Sequence, residues 1–250
     1  MRTIRHTSYV QQQKRLSRWV AFFGFALLTG SLWIALNPDL LIPAYIAMFA
    51  GFVIFNMGMQ RVGKWSRNPR NDQLLDRQLA KLGDRYTLVH YPNIGNHRTE
   101  HLLVYPGGIL VLTPREIDGT VEYTGGRWRR NGSMIRRLFA FSGPQLGNPN
   151  KDTDEAIAQV EGYLGEKQLE IDVNGLVVFV HPMVQLEVEE PEYPVLHGEE
   201  VPTFIQQLPA DETFTTEERD ELLALLGEGG EVEAPQAATT RRRPVKRRAA

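Results

Sequence analysis

The chain of 250 residues contains no cysteine. That absence excludes disulfides, thiolate metal centres, cysteine nucleophiles and thiol redox chemistry, and it is compatible with a reducing compartment. Acid is almost missing ahead of Asn71, where Asp39 stands alone against Arg2, Arg5, Lys14, Arg15, Arg18, Arg61, Lys64, Arg67 and Arg70. Charge of either sign is missing from two stretches, Trp19 to Leu36 and Leu40 to Met59. Neither holds an acidic, basic or histidine side chain in mid-span, so a transport pathway through them has no candidate residue.

What these two stretches do have is length and apolar character. Each approaches the roughly 20 residues that an α-helix needs to cross a hydrocarbon core ~30 Å thick. Only Asn37, Pro38 and Asp39 separate them, so the pattern describes a transmembrane helical hairpin over residues 18–60. Lysine and arginine crowd both outer flanks, which predicts that both termini and the soluble domain are cytoplasmic. Trp19, Trp33, Tyr45 and Trp65 fall near the ends of the runs, where amphipathic rings favour the headgroup level. Ala26 with Gly30 and Ala47 with Gly51 form two small-xxx-small pairs suited to close helix approach. The competing reading is a signal peptide followed by a buried core helix. It lacks a small-residue cleavage site and needs a shorter first run.

The formal net charge of −2 hides a segregation. Residues 1–17 form a basic N-terminus. The stretch from Asn71 to Thr240 carries about −16. A domain so acidic repels nucleic acid and anionic lipid on average, so a polyanion contact has to be local. The local candidate is Arg127, Trp128, Arg129, Arg130, Arg136 and Arg137. Its plainer reading is a solvated hairpin face, because Arg130, Asn131, Gly132 and Ser133 spell a tight turn. The tail holds Arg241, Arg242, Arg243, Lys246, Arg247 and Arg248 after a Gly, Ala and Glu linker. Such a basic block cannot build a core and suits anionic headgroups at the same membrane face, with nucleic acid or a neighbour's acidic domain as alternatives.

From Asn71 the pattern is that of a compact α/β unit over residues 71–210. Leu74, Leu75, Leu79 and Leu82 predict an amphipathic helix from Asp72 to Leu82, stopped by Gly83. Strands are predicted at Tyr86 to Tyr91, His101 to Tyr105, Ile109 to Leu112 and Thr120 to Tyr123, with Pro106, Gly107 and Gly108 closing a hairpin. Asn148 and Pro149 precede a helix near Thr153 to Leu164, and Leu176 to Val180 reads as a strand buried on both faces. Thr215 and Glu218 form a capping box for a helix over residues 214–227 that ends at Gly227, followed by the linker and tail of residues 228–250. His90, His97, His101 and His181 show no zinc-helix spacing and read as structural. Gly125-Gly126 is a turn rather than a phosphate cradle. Ser133 and Ser142 have no visible triad.

The segment from His97 to Tyr123, which contains TEHLLVYPGGILVLTPREIDGTVEY, resembles the NERD (nuclease-related) domain. Members show an acidic residue followed by His, an apolar strand, a Pro-Gly turn, and a strand running into Glu-x-Lys and a Gly-Thr turn. The resemblance extends through the Asn148-Pro149 helix to the Leu176 strand. It implies a restriction-endonuclease-like fold of the PD-(D/E)xK type, a mixed sheet flanked by helices and here preceded by the two-helix transmembrane hairpin. In that family a helix acid, a strand Asp and the Glu of Glu-x-Lys hold a divalent metal while the Lys assists the attacking water. Carried over, these positions fall on Asp72, Glu100, Thr113 and Arg115.

The replacements decide what chemistry remains. Phosphodiester hydrolysis needs a hard cation held by oxygen ligands. Thr113 removes a full ligand charge that a hydroxyl dipole cannot replace. Arg115 cannot surrender its proton, so it can clamp a phosphate but cannot act as a base. Glu116 is a substitute acid only if a bulge around Pro114 turns it toward Glu100, since a one-residue shift reverses the face of a strand. Asp152 occupies a place where the family commonly carries Gln.

The expectation is therefore a membrane-anchored NERD-like protein without catalytic activity that acts as a binding or scaffold module and has no cofactor. The alternative is a nuclease dependent on Mg2+ or Mn2+, built from Asp72, Glu100 and Glu116 with Arg115 stabilising charge on phosphorus. A plainer possibility is pure membrane assembly through hairpin and tail. The expected partners are the lipid bilayer and either a protein or a second copy through the hairpin, with nucleic acid disfavoured by the acidic domain.

Overall fold

The computed structural model describes residues 1–131, 145–211 and 214–233. It begins with a strand, β1 (Arg2–Arg5), which leads into two long helices, α1 (Thr7–Ile34) and α2 (Leu41–Ser66). A single 3-10 turn at Pro38–Leu40 joins them, and the Asn37 side chain caps it by accepting the Asp39 amide at 3.1 Å. Both helices are long and apolar enough to cross a membrane.

The seam between α1 and α2 has a period of seven. Val10, Ser17, Gly24 and Ser31 are buried on α1, and Ala44, Gly51, Gly58 and Trp65 on α2. A seven-residue repeat keeps one narrow face of each helix toward the other with a left-handed wrap. The small side chains let the backbones nearly touch: a Cβ on Gly24 would lie 2.3 Å from the Phe55 nitrogen, and one on Gly58 2.4 Å from the Ala21 nitrogen. This corrects part of the expected small-residue pairing. Gly51 is on the seam, but Ala26 is exposed and nothing lies within 4 Å of a Cβ on Gly30.

After α2 come α3 (Asn71–Leu79), β2 (Thr87–His90), a small ribbon of β3 (Asn93–Ile94) and β4 (His97–Arg98), β5 (His101–Tyr105), β6 (Gly108–Arg115), β7 (Gly119–Thr124) and β8 (Arg127–Asn131). Beyond residues 132–144 follow α4 (Pro149–Glu166), β9 (Val173–Phe179), β10 (Val184–Val188), β11 (Val195–His197), α5 (Val201–Gln207), α6 (Thr216–Gly227) and β12 (Glu231–Glu233). The main sheet is mixed, in the order β11-β9-β6-β5-β2-β1-β12, and β10-β7-β8 form a second sheet beside it.

The central strands are covered on both faces, which is why they read as unbroken apolar runs. Leu103, Leu110, Leu112 and Leu176 pack on one side with Leu75 and Leu79 of α3 and Val201 and Ile205 of α5. Leu102, Val104, Ile109 and Val111 pack on the other with Val160 and Leu164 of α4 and Leu222 and Leu226 of α6. The result is an α/β fold with a mixed multi-strand sheet between helical layers.

Both ends of the chain contribute to this sheet, which differs from the expected division into basic arm, hairpin, domain and linker. Arg2 to Arg5 pair in parallel with Thr87 to His90, and Thr3 to Arg5 pair antiparallel with Glu231 to Glu233. The helical hairpin is thus inserted between two adjacent parallel strands instead of preceding the domain. A four-residue strand with one large apolar side chain gives no periodic signal of its own, and neither does the Glu-Val-Glu of β12. Arg130 and Asn131 are the last residues of β8, and Gly132 and Ser133, the rest of the turn expected there, lie outside the described residues. The β7-β8 hairpin turns at Gly125-Gly126, with φ of +59° and +77°, left-handed conformations suited to a two-residue hairpin loop.

Candidate functional site

The strands β5 and β6 pair from Tyr105↔Gly108 to Leu102↔Val111, whereas β6 and β9 stay paired as far as Arg115↔Phe179. The end of β6 therefore outruns β5. Ile109 donates to Asp172 on the β9 side at 2.8 Å, so by the two-residue period the amide position of Pro114 faces the β5 side, where the ladder has already stopped. A proline costs no ladder bond there. The gap opens into a cavity of about 470 Å3, and its opposite wall is the end of α2, from Met57 to Arg67.

Glu100, His101, Pro114, Arg115 and Glu116 all line this cavity. Glu116 arrives without the bulge that the sequence seemed to require, because β6 ends at Arg115 and the chain turns. Each of the two glutamates is held by a cation at the end of α2 or just beyond it: Glu100 pairs with Lys64, and Glu116 with Arg67. Burial raises the Glu100 carboxyl, but the charge and hydrogen bond of Lys64 together with the other nearby cations outweigh it and hold the group below the usual glutamate range. Arg115 pairs with Asp152 of α4 and donates from Nε to the Leu146 carbonyl at 2.9 Å.

The two remaining family positions are not part of the cleft. Thr113 lies on the α4-covered face of β6, as Arg115 does, but its hydroxyl is taken up by that of Thr153 at 2.7 Å and both residues are buried. Asp72 is completely buried in the first turn of α3. It accepts from Arg70 Nε at 3.0 Å and Nη2 at 2.8 Å and is also ion-paired with Arg5. Burial alone would raise its pKa, but the Arg70 hydrogen bonds and the Arg5 charge bring it down to about 2. Asp72 is thereby a structural anion tying β1 to α3.

Behind the cleft runs a relay that no local pattern of residues announces. Arg5 also pairs with Asp76, Asp76 accepts from His90 Nε2 at 2.9 Å, and His90 Nδ1 meets His101 Nδ1 at 2.8 Å. Burial and the neighbouring His90 push His101 down to about 3, so its ring is neutral near pH 7. Tyr91 lies against His101 with ring centroids 5.3 Å apart, and Trp65 of α2 sits 5.3 Å from Tyr91 on another side. Tyr91 has φ of +58°, a left-handed conformation that bulky residues adopt at a cost of about 1–3 kcal/mol. Hydrogen bonds from its amide to Glu100 O at 2.8 Å and from Arg98 to its carbonyl at 2.7 Å hold it there.

A divalent cation does not fit this donor set. Among the described residues no group of three His, Asp or Glu side chains is placed to hold a metal. The three carboxylates that line the cleft, Glu100, Glu116 and Asp152, already carry cationic partners, and the Thr113 hydroxyl is taken up by Thr153. The arginine patch lies elsewhere, on β8. Arg127 and Arg129 are exposed there, while Arg130 pairs with Asp118. Trp128 packs between Tyr123 and Phe179 and donates to Asn150 at 2.9 Å, so it is not presented to a ligand. Arg136, Arg137 and the tail from Arg241 to Arg248 lie outside the described residues.

Lys64, Arg67, Arg70, His101 and Tyr91 were not identified from sequence as site residues. The first three were read only as flanking charge for membrane orientation, although their spacing on a helix continuous with α2 places Lys64 and Arg67 on neighbouring turns. A family model described as NERD, nuclease-related domain, matches residues 67–180. No curated protein and no solved structure matches the chain.

Proposed function

Given that the chain carries a nuclease-related domain over residues 67–180, we propose that it is a membrane-anchored cytoplasmic binding module without nuclease activity. One observation carries this reading: every carboxylate of the cleft has a cationic partner, Glu100 in Lys64 of α2, Glu116 in Arg67 just beyond that helix and Asp152 in Arg115. A divalent cation would have to displace an ammonium or a guanidinium to reach any of them. Arg115 can hold a phosphate but cannot take a proton from water. Nucleic acid remains a weaker candidate partner than lipid or protein, since the acidic surface repels it.

Membrane anchoring draws support from what α1 and α2 leave uncovered. Trp19, Phe22, Phe23, Ile42, Phe49 and Phe52 are all exposed, a surface that water disfavours and hydrocarbon accepts. The basic flanks favour both ends on the cytoplasmic side. The uncovered faces also leave room for a second copy of the hairpin. The basic tail from Arg241 to Arg248 would add attraction to anionic headgroups. Deleting it should weaken binding to anionic vesicles of the reconstituted chain.

The reading is tested on the full chain in nonionic detergent or nanodiscs, incubated with labelled DNA or RNA and millimolar Mg2+ or Mn2+. No cleavage is expected, and neither metal should raise the melting temperature. Turnover that Glu100→Ala or Glu116→Ala abolishes would establish the alternative, a rearranged metal-dependent nuclease.

A further inference from the structure

Two groups in the cleft have no use in the reading above. His101 lines the cavity and is buried, yet its Nε2 has no hydrogen-bond partner among the described residues. Its Nδ1 is engaged by His90 Nδ1 at 2.8 Å, and His90 Nε2 is engaged by Asp76. The Nε2 of His101 is left on the other side of the ring as a buried polar atom without a partner, which costs roughly 1–3 kcal/mol.

The second group is Arg61. Five cationic side chains line the cavity against three carboxylates. Lys64, Arg67 and Arg115 are matched within the cavity, and Arg70 is matched by Asp72 behind it. Arg61 is the cavity cation with no ion-pair partner among the described residues. It stands one helical turn beyond Met57, which lines the same cavity and belongs to the apolar run of α2. The cavity thus opens at the level where the apolar run ends and basic residues begin. Its volume of about 470 Å3 is of the size of a small-ligand site.

We infer that this cleft binds the headgroup of an anionic phospholipid that carries a hydroxyl. The phosphate sits on Arg61, a headgroup hydroxyl, able to donate or accept, hydrogen-bonds His101 Nε2, and the acyl chains lie along α2 beside Met57. Phosphatidylglycerol is the simplest lipid with that chemistry. The inference rests on the reading of the chain as a membrane-anchored binding module and supplies its ligand. A zwitterionic lipid satisfies the site less well, since its own cation would meet Arg61 and Lys64. A free phosphate ester offers the same polar groups without the chains along α2.

The test uses the full chain in nonionic detergent, titrated separately with phosphatidylglycerol, phosphatidylethanolamine, phosphatidylcholine, glycerol phosphate and a DNA oligonucleotide. Melting temperature and calorimetric binding are the two readouts. Phosphatidylglycerol should bind saturably and raise the melting temperature, and Arg61→Gln should weaken it about tenfold. Arg15→Gln with Arg18→Gln, exposed cations at the end of the other helix, should leave it unchanged. His101→Gln, which keeps a polar group at that position, should weaken phosphatidylglycerol more than it lowers the stability of the lipid-free chain. Equal response to phosphatidylethanolamine or phosphatidylcholine overturns the inference, as does loss of binding in the Arg15 and Arg18 variant with retention in Arg61→Gln. Binding of glycerol phosphate as tight as the lipid overturns the lipid source. DNA binding that depends on Arg61 in place of lipid overturns the ligand class. A chain that alkaline washing strips from membranes, or that cleaves nucleic acid with added metal, instead overturns the underlying reading.

Discussion

Arg5 and Asp72, separated by 67 positions and by the whole helical hairpin, form an ion pair in which both side chains are withdrawn from water. The same guanidinium reaches Asp76 and Glu233, so one residue of the first strand joins α3 to the last strand. A chain that inserts two apolar helices into a β-α-β crossover needs some such tie, because the inserted segment itself gives the strands no reason to stay in register. The hairpin and the domain are therefore one folding unit rather than an anchor followed by a passenger.

Removing one partner of a buried ion pair leaves the other charge uncompensated. Arg5→Ala should lower stability by about 3–5 kcal/mol. A shortened chain starting at Asn71 should fare worse, because it also exposes the edge of β2. Chemical denaturation in nonionic detergent measures both. An Arg5→Ala protein as stable as the parent would show that Asp72 has other means of compensation.

Acid should destabilise the fold in two stages. His101 has a folded pKa of about 3, below its ordinary 6.5, so between those values the unfolded chain binds more protons and stability falls as pH falls. Asp72 has a folded pKa of about 2, below its ordinary 3.8, so its contribution is present above 3.8 and is lost as pH drops toward 2. Melting temperature recorded from pH 7 to 4 should therefore decline, and His101→Gln should flatten that decline. A slope unchanged by His101→Gln would mean that other groups dominate.

Helix contact along the seam can be tested with glycines that differ only in position. Gly24→Leu and Gly58→Leu push side chains into opposing backbone and should each cost about 1–3 kcal/mol or separate the helices. Gly30→Leu meets nothing within 4 Å of its Cβ and should be tolerated. Comparing the three melting temperatures checks the seven-residue register, and a reversed ranking would refute it.

Restoring the family acid at its sequence position should not restore a metal site. Thr113→Glu places a carboxylate in the buried position where Thr113 meets Thr153, outside the residues that line the cavity. Loss of stability without gain of Mg2+ or Mn2+ binding is the expected outcome, since an unpaired buried carboxylate is costly. Calorimetric titration with either metal would reveal the opposite.

Orientation is open to a clean experiment because the chain has no cysteine. A single cysteine in place of Asp39, in the turn between the helices, should react with an impermeant maleimide only from the side opposite Arg129→Cys, an exposed position on β8. Labelling of both from one side would contradict a spanning hairpin.

Much of the fold is legible in local pattern. The strand at His101 to Tyr105 coincides with its prediction, because a five-residue apolar run between an acidic turn and Pro-Gly has few other solutions. The capping box is equally local: Thr215 accepts the Glu218 amide at 3.2 Å, and Glu218 returns a bond to the Thr215 amide at 2.9 Å. The site was legible only in part. Glu100, Arg115 and Glu116 were found by resemblance, whereas their cations came from a stretch whose charges had already been accounted for by membrane orientation.

Sequence alone determined the two apolar helices and the strands covered on both faces, since each follows from residue type and short-range period. Tertiary structure alone decided that β1 and β12 complete the sheet, that Glu116 shares a cleft with Glu100, and that Lys64 and Arg67 neutralise both. Those outcomes depend on pairings between residues from 36 to 230 positions apart and on the point where one strand outruns its neighbour. No local pattern records which distant charge will arrive beside a given carboxylate, because that partner is chosen by how the sheet and helices pack.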